Sequence, residues 1–247
     1  MRFVTLGLVC ALIVACAIPA AAQQPFSFVI AAPDRDHPPR QTRTMAVFTG
    51  QRLDPLTGIE TTRGRFTIVA MEDSRFQRRD GRQVRQAELQ VNLWGAPSGA
   101  RLAVGTGVRR ESQGANVLMT RVVAEASAFA GRVISNVVLE KPLASNRDAM
   151  DVITTLAYTQ KVSRGMSVGL EALFQDIEGF WNAAEAEGGA RLFVGPSIDL
   201  APATHAWALH VTAGRDIRAT RSIGASDAFR ALGRPGFVMR LSAAHRF

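Results

Sequence analysis

The sequence predicts an all-β chain: an up-and-down antiparallel transmembrane β-barrel of about 12 strands behind an N-terminal signal peptide. Three observations carry this prediction. Short segments alternate apolar and polar residues with period two. The links between them alternate short and long. One apolar leader precedes them all.

Composition sets the frame. The chain has 247 residues, 47% apolar and 20% charged, enough for one large domain and too apolar for a disordered chain. Of the 29 basic residues only Lys141 and Lys161 are lysines; the rest are Arg. That balance argues against the Lys/Arg tails of nucleic-acid binders, so no nucleic-acid partner is expected. Both cysteines, Cys10 and Cys16, lie in the leader, so the remainder has no thiol and no cysteine metal site.

The leader comes first in the chain. Met1-Arg2 supplies a positive start, Phe3 to Ile18 is nearly unbroken apolar sequence, and Pro19 ends it. Ala20-Ala21-Ala22 then offers the small residues a signal peptidase needs, which divides the chain into a signal peptide over 1–22 and a barrel domain over 23–247. Two alternatives use the same residues: an uncleaved anchor helix, and a lipoprotein box with Cys16 acylated. Beyond the leader no apolar run is long enough for a membrane helix.

Twelve segments follow, near 26–32, 44–53, 61–72, 84–94, 99–109, 116–128, 132–140, 148–160, 165–175, 188–200, 205–218 and 236–247. The alternation is plainest late in the chain. Met166, Val168, Leu170, Ala172 and Phe174 share one face of a strand against Ser167, Gly169, Glu171 and Gln175. Leu192, Val194, Ile198 and Leu200 oppose Arg191, Ser197 and Asp199, and Phe237, Met239 and Leu241 oppose Arg240 and Ser242. Adjacent strand residues point to opposite faces, so this is a sheet with one apolar and one polar side. Losing the two earliest segments would leave ten strands. Pro196 falls inside a strand, where its missing N–H predicts a bulge.

Gly95–Ser98, Phe129–Gly131, Lys161–Arg164 and Ala201–Thr204 read as tight turns and Asp54–Glu60 as a fairly short one. Between them lie longer links, from Pro33–Arg43 to Ala219–Pro235. Short turns gathered at one end and long loops at the other are the anatomy of an outer-membrane barrel. A soluble sandwich or lipocalin-like barrel also alternates, but turns its apolar face inward. Sequence parity alone does not say which face points in. Tyr158 and Trp207 at one end, with Phe174 and Phe237 at the other, make a thin aromatic girdle.

The chain ends on Phe247 at the close of an alternating strand, an ending that resembles the C-terminal recognition strand of bacterial outer-membrane β-barrel proteins. Glu178-Gly179-Phe180-Trp181, Glu185 through Arg191 and Val194-Gly195-Pro196-Ser197 also resemble a proteobacterial outer-membrane barrel family described as porin-like or transporter-like. The resemblance implies a Gram-negative outer-membrane location, contact with lipid and lipopolysaccharide, and insertion by the barrel-assembly machinery through the strand ending at Phe247. It brings no catalytic residues.

The polar face supplies the candidate lumen lining: Glu88, Arg121, Glu125, Arg132, Glu140, Glu171, Arg191, Asp199, His210 and Arg240, with Arg101, Asp151 and Arg246 beside them. Both charge signs occur, as in a narrow lumen filled by ion pairs. Of four histidines only His210 reaches this face. Asp199 and Ser197 on the neighbouring strand are its candidate partners in a hydrolase, but no triad spacing is present. No metal-ligand spacing or nucleotide loop occurs, so no cofactor, no metal and no enzymatic activity are expected. The link 73–83 carries a charge of +2 and the link 176–187 one of −4. The expected function is porin-like or transporter-like passage of small solutes. A closed surface barrel with an ion-paired lumen is one alternative, and a soluble or lipid-anchored periplasmic barrel holding a small ligand is another.

Overall fold

The computed structural model describes residues 40–49, 52–73, 85–95, 99–110, 116–143, 150–182, 190–201, 206–221, 230–232 and 236–246. The strands are β1 (Arg40–Thr49), β2 (Arg52–Arg63), β3 (Phe66–Asp73), β4 (Arg85–Gly95), β5 (Arg101–Arg110), β6 (Asn116–Ala128) and β7 (Gly131–Pro142). They continue as β8 (Asp151–Ser163), β9 (Met166–Gln175), β10 (Ala190–Leu200), β11 (Trp207–Arg221), β12 (Arg230–Leu232) and β13 (Gly236–Arg246). One 3-10 turn, Ile177–Phe180, follows β9.

Each strand pairs antiparallel with its sequence neighbour from β1 to β11. β11 then pairs with β13, and β13 returns to β1 with Gln41 opposite Arg246. The ring therefore closes on 12 strands, with β12 a short hairpin arm on the far end of β11. Closure leaves no unpaired edge, which a bilayer would penalise. Strands of ten residues or more, tilted, suffice to cross the apolar layer.

The face question is answered by burial. Leu89, Val108, Leu118, Val122, Val152, Leu156, Leu170, Val194 and Ile198 lie exposed on the outside. Glu88, Arg121, Glu125, Glu140, Glu171, Arg191 and Arg240 are buried inside. The soluble alternative needed the opposite arrangement. Exposed Phe66, Trp94, Phe129 and Trp207 join Tyr158 at the short-turn end, and Phe237 and Trp181 stand at the other. The girdle is thus fuller than the sequence suggested: Phe66 borders a turn that the sequence placed elsewhere, and Trp94 adjoins the Gly95–Ser98 turn.

Two early boundaries are corrected. The expected link Asp54–Glu60 lies inside β2, with Pro55 opposite Ala46, and the true turn is Gly64-Arg65. Pro55 and Gly58 had the look of turn residues. Gly58 instead marks a close approach: a Cβ there would come within 2.8 Å of Met71 Cγ and 2.9 Å of the Ala70 carbonyl oxygen. The expected strand 61–72 is accordingly the end of β2 plus β3. Strict alternation of links also fails once, since β1 and β2 are joined by only residues 50–51 at the long-loop end.

Pro196 produces no bulge. Val194 faces Arg215 and Ser197 faces Thr212, so the register with β11 is unchanged across it while the side chain points outward. Irregularities fall instead between Asn92 and Trp94 and between Lys161 and Ser163. The leader 1–22, the segment 26–32, the Arg-rich stretch 74–84 and Phe247 lie outside the described residues.

Candidate functional site: the ion-paired lumen

The inward faces of β5 to β7, β9 and β10 mix apolar and charged residues, and the mixture is layered. On β6 the inward residues are Val117, Met119, Arg121, Val123 and Glu125. Toward the long-loop end Val117, Met119, Val138, Ile153, Leu173, Phe193 and Val238 form one buried cluster, with Met71 of β3 packed against it. β6 and β13 stand on opposite sides of the ring, and Met71 comes from a third wall. The cluster therefore narrows the lumen at that level. A smaller cluster of Ala103, Val123, Ile134 and Ala157 lies toward the short-turn end.

Around these layers, charged side chains reach over intervening strands. Arg109 of β5 makes two 2.6 Å bonds to both carboxylate oxygens of Glu140 on β7, passing over β6. Arg121 of β6 donates from Nε to Glu88 Oε1 of β4 at 2.7 Å, passing over β5. Gly105 lies beneath that arch, where a Cβ would come within 2.7 Å of the same Glu88 oxygen, so only glycine leaves the carboxylate its place. Gln86 and Gln90 donate to the two Glu88 oxygens as well. Arg240 of β13 crosses two strands to reach Glu171 of β9 at 2.6 Å, with its guanidinium carbon 4.5 Å from the Phe193 ring centre. Arg191 grips Asp216 with two donors, and Arg218 adds a third at 2.8 Å. Removing one member of such a pair strands a charge in low dielectric, so all are held as sets.

His210 belongs to this network. Its Nδ1 lies 2.6 Å from Asp199 Oδ1, and its Nε2 lies 2.8 Å from Glu171 Oε1 and 2.9 Å from Thr212 Oγ1. Thr212 donates to Glu171 Oε2 at 2.8 Å. Both ring nitrogens thus face carboxylates, which a ring protonated on both nitrogens serves best. The order carboxylate, imidazole, hydroxyl is that of a nucleophilic site, yet Thr212 is wholly buried and its proton is directed to Glu171.

The structure brings most of the candidate lining residues into pairs. Glu88 with Arg121, Glu171 with Arg240, and Asp199 with His210 join directly, and Glu125 meets the half-exposed Arg132 at 3.2 Å. Glu140 and Arg191 pair instead with Arg109 and Asp216, two residues not among the candidates. Arg109 was hidden by its place at the end of an expected strand, next to Arg110. Counting in twos from Arg101 would have placed it inward. Among the described residues no group of three or more His, Cys, Asp and Glu could hold a metal ion.

No family model matches the chain, and neither does any curated protein. Solved structures similar to it include the outer-membrane expressed OmpT of Vibrio cholerae, at 15% identity and a TM-score of 0.44, over 78% of this chain. That match spans 65% of the OmpT chain's own length. In-vitro folded OmpT, an outer membrane protein of Vibrio cholerae, matches over 83% of this chain and 95% of its own at 12% identity and a TM-score of 0.42. Its trimer form gives 11% and 0.43. These are likenesses of fold.

Beside these findings the expectation that the chain is no enzyme is corrected. It rested on the absence of a triad order or spacing around His210. The structure sets it on Asp199, Glu171 and Thr212, with His210 and Asp199 both partly exposed. A histidine oriented by a carboxylate is the equipment of acid–base chemistry. Enzymatic chemistry is therefore no longer set aside on sequence grounds.

Proposed function

We propose that the chain is a bacterial outer-membrane barrel, exported behind a cleaved leader, that passes small solutes through a lumen narrowed by its own ion pairs. The observation that supports this reading is the inward polar face. Arg109–Glu140, Arg121–Glu88 and Arg240–Glu171 each reach over at least one strand inside a ring whose outside is apolar. Rings of charged residues and apolar constrictions are the two devices by which pores select and gate. The signs are mixed, so the lumen has no marked preference for anions. β13 turns Phe237, Met239 and Leu241 to the outward face of the strand that assembly machinery would read. The Arg-rich link would meet lipopolysaccharide phosphates through forked hydrogen bonds.

A second reading, a closed surface barrel, is favoured by the apolar layer around Phe193 and Met119. Planar-bilayer recording separates the two. The unchanged protein should show small, infrequent openings. Phe193→Ala combined with Met119→Ala should enlarge them by removing the constriction. Silent membranes with both proteins, each inserted and folded, would overturn solute passage.

A further inference from the structure

We infer that the outward rim of β4 and β5 at the long-loop end docks lipopolysaccharide, with Arg85 and Arg110 clamping one phosphate of its lipid moiety. This rests on the outer-membrane reading above, and it places the contact on strand residues rather than on the Arg-rich link. The starting observation is a facing pair of like charges. Arg85, the first residue of β4, lies directly opposite Arg110, the last residue of β5. Alternation with buried Glu88 and Gln90 on β4 and with buried Arg109 on β5 turns both outward, and both are exposed. Facing residues of an antiparallel pair have Cβ atoms about 5 Å apart, where like charges destabilise the sheet.

Among the described residues the balancing charge on this rim is incomplete. Glu72 on β3 stands opposite Arg85 and accepts its Nε at 3.0 Å, in a pair exposed on the same rim. The described outward positions of β4 to β7 carry no carboxylate, since Glu88, Glu125 and Glu140 all turn inward. Lys141, outward on β7 opposite Leu118, adds a third cation. Arg85, Arg110 and Lys141 thus share Glu72 along this stretch of wall. Two inter-strand spacings, about 10 Å, separate β5 from β7, so the basic rim is as wide as a headgroup rather than a single ion.

What lies below the rim selects the anion. On the same strands Leu89, Val108, Leu118 and Leu139 face outward and are exposed, forming an apolar wall. A free inorganic anion would use the arginines and leave that wall unaddressed. A lipid uses both, with phosphate on the rim and acyl chains down the strands. Guanidinium groups match phosphate oxygens with forked, charge-assisted hydrogen bonds. A phosphate monoester carries close to two negative charges at neutral pH, which balances two arginines where a phosphodiester headgroup balances one. Long loops mark the outer side of an outer-membrane barrel, and lipopolysaccharide is the lipid of that leaflet whose headgroup bears such monoesters.

The test is a binding titration of the folded full chain in neutral detergent micelles, with folding verified by heat-modifiable gel migration. The probes are lipopolysaccharide, the same material after phosphatase treatment, and phosphatidylglycerol. Lipopolysaccharide should bind, and Arg85→Gln combined with Arg110→Gln should raise its half-saturation concentration about tenfold. Phosphatase treatment should weaken binding to the unchanged protein by a similar factor and leave the double variant as it was. Arg63→Gln, at an exposed outward arginine of the short-turn end, should leave binding unchanged. Failure of lipopolysaccharide to bind overturns the site. Equal binding by the double variant would put the phosphate on another part of the chain, and that overturns the rim site as well. Equal weakening by Arg63→Gln, or phosphatidylglycerol competing as well as lipopolysaccharide, would show general charge attraction and also overturn it. If the double variant does not fold, Arg110→Gln alone is titrated under the same criteria. An unchanged chain with no heat-modifiable fold in vesicles would instead sink the outer-membrane reading, a result distinct from all of these.

Discussion

Glu171 shows how one lumen residue is held by several others. Its two oxygens take Arg240, Thr212 and His210, and His210 in turn leans on Asp199. Arg240 is 2% exposed and Glu171 equally so, so water gives the pair almost no screening. Arg240→Leu alone should therefore cost up to about 3–5 kcal/mol, the penalty of removing the buried arginine from a carboxylate that keeps only His210 and Thr212. Adding Glu171→Gln should recover most of that loss, because the stranded charge is gone while an acceptor remains for Thr212. Urea unfolding of the two variants in phospholipid vesicles measures the difference. Equal stability of single and double variants would show that the arch contributes no coupling.

The strands divide their residues by face, and the division has a depth dependence. Leu156 sits in the middle of β8 and faces outward, whereas Leu143 lies just beyond the end of β7. Leu156→Arg should cost about 2–4 kcal/mol in a bilayer and Leu143→Arg about 0–1, because only the first brings charge to the midplane. The fraction of heat-modifiable folded protein in vesicles reports both. Equal effects would mean that the outward face is not lipid-facing. At this scale the sequence was informative wherever one face was purely apolar, as in β9, β10 and β13. It was least informative where inward and outward residues are both apolar, as in Val137-Val138-Leu139 of β7. There parity is hidden, and Val138, which joins Ile153, Leu173 and Phe193 in the buried apolar layer, was missed for that reason.

The whole molecule depends on closure. β1 and β13 pair over nine residues, and every strand of the ring has two neighbours. Deleting Gly236–Arg246 should leave β1 and β11 as open edges, whose backbone groups have no partner in hydrocarbon. The expected outcome is complete loss of the heat-modifiable band, with recovery only in aggregates. A folded, shifted band from the truncated chain would show that closure is not what stabilises it. Closure also turns pairs of strands that are distant in sequence into facing walls, and this allows Arg240 to meet Glu171 across 69 positions of chain.

The sequence by itself determined that the chain alternates, that its short turns gather largely at one end, and that its polar face carries both signs of charge. Those are local properties, fixed by a side-chain period of two and by turn residues. It also named nine of the Arg, Asp and Glu residues that the structure pairs, among them Glu88, Arg121, Glu171 and Arg240, with His210 beside them. Tertiary structure alone decided which face is inside, because period-two alternation is the same for a barrel turned either way. It alone decided the partners as well. Arg109 with Glu140 and Arg121 with Glu88 are set by curvature of the closed sheet, which brings alternate strands within reach of one long side chain.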